Sequence, residues 1–503
     1  MDAVDAREPM GRRTVAAARW RVAASVLQGT MQMGTGIFLA RILAPADFGL
    51  VALAFVVVGL ALVFSELGVG AALVRIRPLT DRHVRAAFTL SMLLGLAAAA
   101  LLWMAAPAAA SLLRQDALAG VLRGLAPLFV LFALGVTARS LLQRALDFRA
   151  LFAVELASYG AGYAPVALVL ALRGHGAGAL VWGMLAQSAA AALVALALRP
   201  HAVRPLLARR ELGEMAGFGT GTSLVRLANF AAGHFDNLVV GRWLGPAALG
   251  IYGRAFNVVN LPLAYLGDPA WYVLYPALAE LRDEPERVRR AYLAAVRVST
   301  LAAAPVLAGM AVAAPHLVPA LYGPGWSGAV LPLQLLCLGA FFRSLYRVSG
   351  ALAHASGRVY GEAARQAVFA VLVVAGAALG ARWGLGGVAG GVALAGFAMY
   401  GMMSGLSLRV LGCGWRPFVA AQVPGLGVGA LVGAAALGTR AFMERGGHGH
   451  GASFAAILAV CAAAWPAAIP FLPPGVLPER LARRLRVPAA LRGAAVRLAS
   501  RFA

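Results

Sequence analysis

The chain has 503 residues, 61% of them hydrophobic and only 13% charged. Its apolar residues come in runs of about twenty, the length a helix needs to cross a hydrocarbon layer of roughly 30 Å, which excludes a water-soluble globular domain. The net charge of +24 comes entirely from arginines set in short clusters between those runs, so a nucleic-acid ligand is not expected.

Arg7, Arg12, Arg13 and Arg19 precede the first apolar stretch, which is too long for a cleaved secretory leader and reads as a retained first span. Successive spans are expected near 22–43, 49–74, 86–108, 118–138, 151–172, 177–198, 215–241, 247–277, 291–314, 327–355, 363–381, 386–408, 417–438 and 453–473. The fold class is therefore an all-α integral membrane protein of about fourteen transmembrane helices.

In the first span Arg21, Ser25, Gln28, Gln32 and Thr35 recur every three or four residues, one narrow stripe on an otherwise apolar helix. Glu66 lies in the second span. The seventh span carries a second stripe, Arg226, Asn229, Asp236 and Asn237, and Asp268 follows in the eighth. Polar groups inside a bilayer must face protein or water, so matched stripes point either to a hydrated cavity or to interhelical hydrogen bonding. Arg226 is the one arginine at mid-depth, where it serves either an anionic head group or an internal ion pair with Asp236, Glu66 or Asp268. Glu66 and Asp268 are either proton or sodium sites or counterions of nearby arginines.

The run DEPERVRRAY at 283–292 reads as a solvated connector, and the tail from Glu479 as a basic interfacial helix on anionic lipid. Gly425, Gly429 and Gly433, four apart in an apolar span, favour close helix packing over a phosphate loop. Cys337, Cys413 and Cys461 are isolated packing residues, and His448 and His450 read as loop spacer, so no metal is expected. Interhelical loops are under about twenty residues, and no nucleotide loop or nucleophile elbow occurs, which argues against an enzyme.

Residues 40–55, ARILAPADFGLVALAF, align with 241–256, GRWLGPAALGIYGRAF, at seven of sixteen positions. The same offset places Ser25 against Arg226, Gln28 against Asn229 and Thr35 against Asp236. The expected organisation is a cytoplasmic segment 1–21, a six-helix lobe 22–198, a cytoplasmic linker 199–214, a second six-helix lobe 215–408, a helix pair 409–475 and a basic cytoplasmic amphipathic tail 476–503. With both termini inside, thirty-four of the 44 arginines fall on the cytoplasmic side, as the positive-inside rule requires.

The segments FDNLVVGRWLGPAALGIYGRAFNVVNLP (235–262), RILAPADFGLVALAF (41–55) and LYGPGWSGAVLPLQLL (321–336) resemble the polysaccharide-transporter family of oligosaccharide flippases, within the multidrug/oligosaccharidyl-lipid/polysaccharide exporter superfamily. The resemblance implies a multi-pass protein of the bacterial cytoplasmic membrane that moves an undecaprenyl-diphosphate-linked oligosaccharide by alternating access around a cationic cavity, for surface or exopolysaccharide synthesis. Its implied partners are the lipid-linked oligosaccharide, membrane lipids, and a polysaccharide polymerase with export machinery. It implies no cofactor, with proton or sodium coupling left open. A peptidoglycan-precursor flippase and a cation-coupled multidrug antiporter of the same superfamily stand as alternatives. The cavity candidates are Arg21, Ser25, Gln28, Gln32, Arg226, Asn229, Asp236 and Asn237.

Overall fold

In hydrocarbon every backbone N–H and C=O must find its partner within the chain, and a helix achieves this locally. The computed structural model describes residues 27–65, 69–208, 211, 213, 230 and 233–468, the side chains of 63–65, 71 and 264–273 excepted, and these contain helices and no strand. In chain order the helices are α1 (27–42), α2 (Pro45–Ser65), α3 (Val69–Arg75), α4 (Asp81–Leu113), α5 (Ala117–Leu125), α6 (Pro127–Arg144), α7 (Phe148–Ala157), α8 (Ala164–Leu172) and α9 (Ala177–Leu198). They continue as α10 (233–243), α11 (Gly245–Glu280), α12 (Pro285–Tyr322), α13 (Val330–Ala355), α14 (Val359–Gly380), α15 (Gly384–Val410), α16 (Trp415–Arg445) and α17 (His450–Ala468).

Ten helical stretches among the described residues are long and apolar enough to cross a membrane, one of them, 359–410, being α14 and α15 together. The chain is thus an all-α, multi-pass membrane protein. The first, second, seventh and fourteenth expected spans lie partly outside the described residues, so the figure of fourteen stays an expectation.

Local sequence signals set several boundaries. Thr80 caps α4, its Oγ1 accepting from the backbone N–H of His83, whose ring returns to Thr80, and Arg114 closes the helix in the left-handed conformation. A π-helical segment, Ser158–Tyr163, joins α7 to α8 at a Gly-containing stretch.

The chain divides into two units, 1–250 and 251–503. In the first, α4 packs on α6, α6 on α9, and α2 against α4, α5 and α9. Here the two copies of the sequence repeat cross. A Cβ on Gly49 would overlap the carbonyl of Pro246, and one on Gly250 the carbonyl of Pro45, so the N-terminal turns of α2 and α11 meet backbone to backbone.

In the second unit α12 lies along α13, α16 and α17, and α15 lies between α13 and α14. The glycine stripe of α16 seats on α12 as its spacing suggests. A Cβ at Gly425 would stand 2.6 Å from the backbone of Thr300 and Leu301, and one at Gly429 2.9 Å from Ala304 Cβ. The expected connector is mostly helix: 285–292 forms the first turns of α12, stitched by Arg287–Glu284 at 2.6 Å and Arg289–Glu286 at 3.1 Å. These i,i+3 charge pairs give a polar stretch its helical support. At 38 residues α12 is about 57 Å long, well beyond the bilayer core.

Candidate functional site

The two polar stripes are described in part. On α1, Gln28 is half-buried and Gln32 exposed, one turn apart on one face, while Met31 reaches the π-helical segment at Gly160. On α10, Asp236 is only 3% exposed, and its Oδ1 accepts the backbone N–H of Asn237 at 3.0 Å. A carboxylate so buried in an apolar helix is costly unless polar groups surround it, which marks this face of α10 as the one that meets protein or water. Asn237 beside it is half-buried. Arg21, Ser25, Arg226, Asn229 and Glu66 lie outside the described residues, and Asp268 stands on α11 with its side chain outside them.

An aromatic contact that the stripe pattern does not include fixes α10. The His234 ring lies tilted against Phe230 with centroids 4.6 Å apart and 6.5 Å from Phe55 of α2, while a Cβ on Gly59 of α2 would come within 2.6 Å of the Phe230 ring. His234 and Asp236, two residues apart, point about 200° apart around the helix. The packing face is therefore separate from the acidic one. Phe230 and His234 sit at i and i+4, a spacing visible in the sequence but indistinguishable there from any apolar stripe.

At the end of the first unit where α4 begins, two arginines bind backbone and a third binds a carboxylate. Arg85 donates to the carbonyls of Arg204 and Pro205 at 3.2 and 3.5 Å, and Thr89 Oγ1 accepts from Leu206 N–H at 2.8 Å. Arg82 pairs with buried Glu211 at 2.8 Å, and His201 lies against the Phe88 ring at 5.4 Å. Residues 199–208 are thus strapped along α4. Burial pushes the His201 imidazole below its ordinary range, against the smaller opposing effects of the Ala202 carbonyl and Asp81. Arg144 gathers the carbonyls of Leu73, Val74 and Ile76 at 2.7, 3.3 and 2.8 Å, which caps α3.

In the second unit the loop histidines are more than spacer. His450 Nδ1 meets His316 Nδ1 at 3.1 Å, and His316 Nε2 reaches Glu444 at 3.2 Å, which Arg440 holds at 2.8 Å. This chain of contacts ties α12, α16 and α17 at one end. His316 is far away in sequence, so the pairing could not be read from the loop.

Residues 38–331, more than half of the chain, match the family described as "Polysaccharide biosynthesis protein". The chain is similar to lipopolysaccharide biosynthesis protein WzxC of Escherichia coli (strain K12), 26% identical over 352 residues, covering 69% of this chain and 71% of that one. It is 30% identical over 322 residues to succinoglycan biosynthesis transport protein ExoT of Rhizobium meliloti (strain 1021), covering 62% and 64% of the two chains. Among solved structures, the lipid II flippase MurJ in an inward closed conformation shares its fold, with a TM-score of 0.72 at 12% identity over 89% of this chain and 97% of that one. With its membrane-length helices and internal repeat, the chain belongs to the polysaccharide biosynthesis protein family of membrane transporters.

Proposed function

We propose that the protein moves an undecaprenyl-diphosphate-linked oligosaccharide from the cytoplasmic to the outer leaflet of the bacterial cytoplasmic membrane, for surface or exopolysaccharide synthesis. The observation that carries this reading is the family match over 38–331, joined to relatives named for lipopolysaccharide biosynthesis and succinoglycan transport. It is a carrier and not a catalyst.

A pyrophosphate cannot enter hydrocarbon unshielded, so a carrier must offer fixed positive charge and water at the midplane while the polyprenyl chain stays in lipid. Arg226 and Arg21 are the candidates for that charge. Gln28, Gln32, Ser25, Asn229 and Asn237 would supply neutral hydrogen bonds around it. Asp236, buried on α10, would orient an arginine between loaded states. Glu66 and Asp268 are the candidates for proton or sodium coupling. The lobes 22–198 and 215–408 would alternate in access, both termini would lie in the cytoplasm, and a polymerase with export machinery would consume the product.

The direct test uses proteoliposomes holding a labelled polyprenyl-diphosphate oligosaccharide, with a membrane-impermeant enzyme reporting the exposed leaflet. Protein-dependent exchange between leaflets supports the reading. Exchange of the peptidoglycan precursor alone would replace it with the related flippase. Losing the charge-assisted bonds of Arg226, each about 1.5–3 kcal/mol, should slow exchange by roughly tenfold or more in Arg226→Ala, with partial recovery in Arg226→Lys. Unchanged exchange at equal protein level would remove Arg226 from the site.

A further inference from the structure

Where α14 begins, α15 ends and α16 begins, the second unit holds a groove of about 840 Å³. Its walls include Arg365, Arg409 and Trp415 with Val368, Met402 and Leu408, and among the described residues no acidic one lines it. Arg365 is fixed in place: Nη1 donates to the Gly361 carbonyl at 2.6 Å and Nε to the Met402 carbonyl at 3.1 Å. Arg409 is exposed, and among the described residues no carboxylate pairs with it. The nearby carboxylate of Glu362 is engaged by His354 at 3.0 Å. The floor is open at Gly401, where a Cβ would meet nothing within 4 Å, and the Trp415 ring lies 3.7 Å from where a Cβ on Gly405 would stand.

Two arginines and a half-exposed tryptophan at a helix start, with no acid among the described lining, are the groups that suit an anion at a membrane interface. The groove also has apolar lips that run into the span. Val371 continues the Val368 face of α14, and Val419 and Val423 continue the Trp415 face of α16, all exposed on membrane-length helices. A soluble anion would have no use for those lips, whereas acyl chains would lie along them.

We propose that this groove binds the phosphodiester head group of an anionic membrane phospholipid, with its acyl chains along α14 and α16. The arginine clusters at this end place it in the cytoplasmic leaflet by the positive-inside rule. Its ligand is the lipid and not the saccharide cargo. Arg365 and Arg409 grip the phosphate, and Trp415 marks the boundary between head group and chains.

The test is native mass spectrometry of the delipidated full-length protein, titrated separately with phosphatidylglycerol and phosphatidylcholine of identical chains. The expected result is preferential retention of phosphatidylglycerol, about fivefold weaker in Arg409→Gln, since a basic residue near an anionic surface contributes on that scale. Gly401→Leu, which keeps every charge and fills the open floor, should abolish the preference. Arg382→Gln, an equal loss of charge at the opposite end of α14 and α15, should leave it intact. Equal retention of both lipids by the unaltered protein would overturn the proposal, as would undiminished preference in both groove variants. Displacement by millimolar glycerol phosphate would identify a soluble-phosphate site and overturn the lipid assignment.

Discussion

The carbonyl of Pro246 lies where a side chain at position 49 would begin, and the carbonyl of Pro45 where one at position 250 would begin. A larger residue must push two helix backbones apart, and overpacking of this kind costs about 1–3 kcal/mol or more. Gly49→Val and Gly250→Val should each lower the thermal unfolding midpoint in detergent, while Gly253→Ala, where an added Cβ meets nothing, should not. The repeat showed that Pro45 and Gly49 correspond to Pro246 and Gly250, but correspondence is silent on contact. Arg144 belongs to the same scale: sequence counts it as one of many cytoplasmic charges, whereas it satisfies three carbonyls at the end of α3. Arg144→Ala should cost about 1–3 kcal/mol, read from the same midpoint, because those carbonyls lose their donor. His201 gives a pH dependence. Its folded-state pKa is depressed by burial, so the neutral ring is the one that fits, and its contribution is complete above the ordinary value of 6.5 and lost as pH falls below it. Limited proteolysis within 199–208 should therefore be faster at about pH 5.5 than at about pH 7.5, and His201→Phe should flatten that difference.

Helices were the most legible part of the chain, because an apolar run of about twenty residues has few other fates. The expected 177–198, 386–408 and 417–438 reappear as α9, α15 and α16 within a few residues, apart from the longer C-terminal end of α16. What composition did not reveal was how far helices run beyond the membrane. Polar residues at 285–292 read as connector by hydropathy, yet their alternating charges stabilise the first turns of α12. The crossing of α12 with α16 is where spacing had most predictive value. Gly425 and Gly429 sit one helical turn apart and admit Thr300 and Ala304 at backbone distance. Gly429→Leu should disrupt this crossing and sharply reduce folded yield, while Gly427→Leu, two residues away with open space before it, should not. A similar yield from the two variants would show that this crossing is not close-packed.

At the scale of the whole molecule, family and fold class were readable because they are written in periodicity, in the repeat and in three short segments. The proposed cargo cavity rests in the sequence on two polar stripes alone. Which side chains would meet across it depends on packing between distant helices, and Gln28, Gln32, Asp236 and Asn237 are the members of the two stripes whose burial is known. The protein's proposed activity is directional transport of a lipid-linked saccharide. Its most direct test is deletion of the gene in the native host, followed by measurement of the leaflet in which labelled lipid-linked oligosaccharide accumulates, with surface polysaccharide assayed in parallel. Accumulation in the cytoplasmic leaflet with loss of surface polysaccharide is the predicted result. An unchanged lipid pool with altered drug or metabolite tolerance would contradict it.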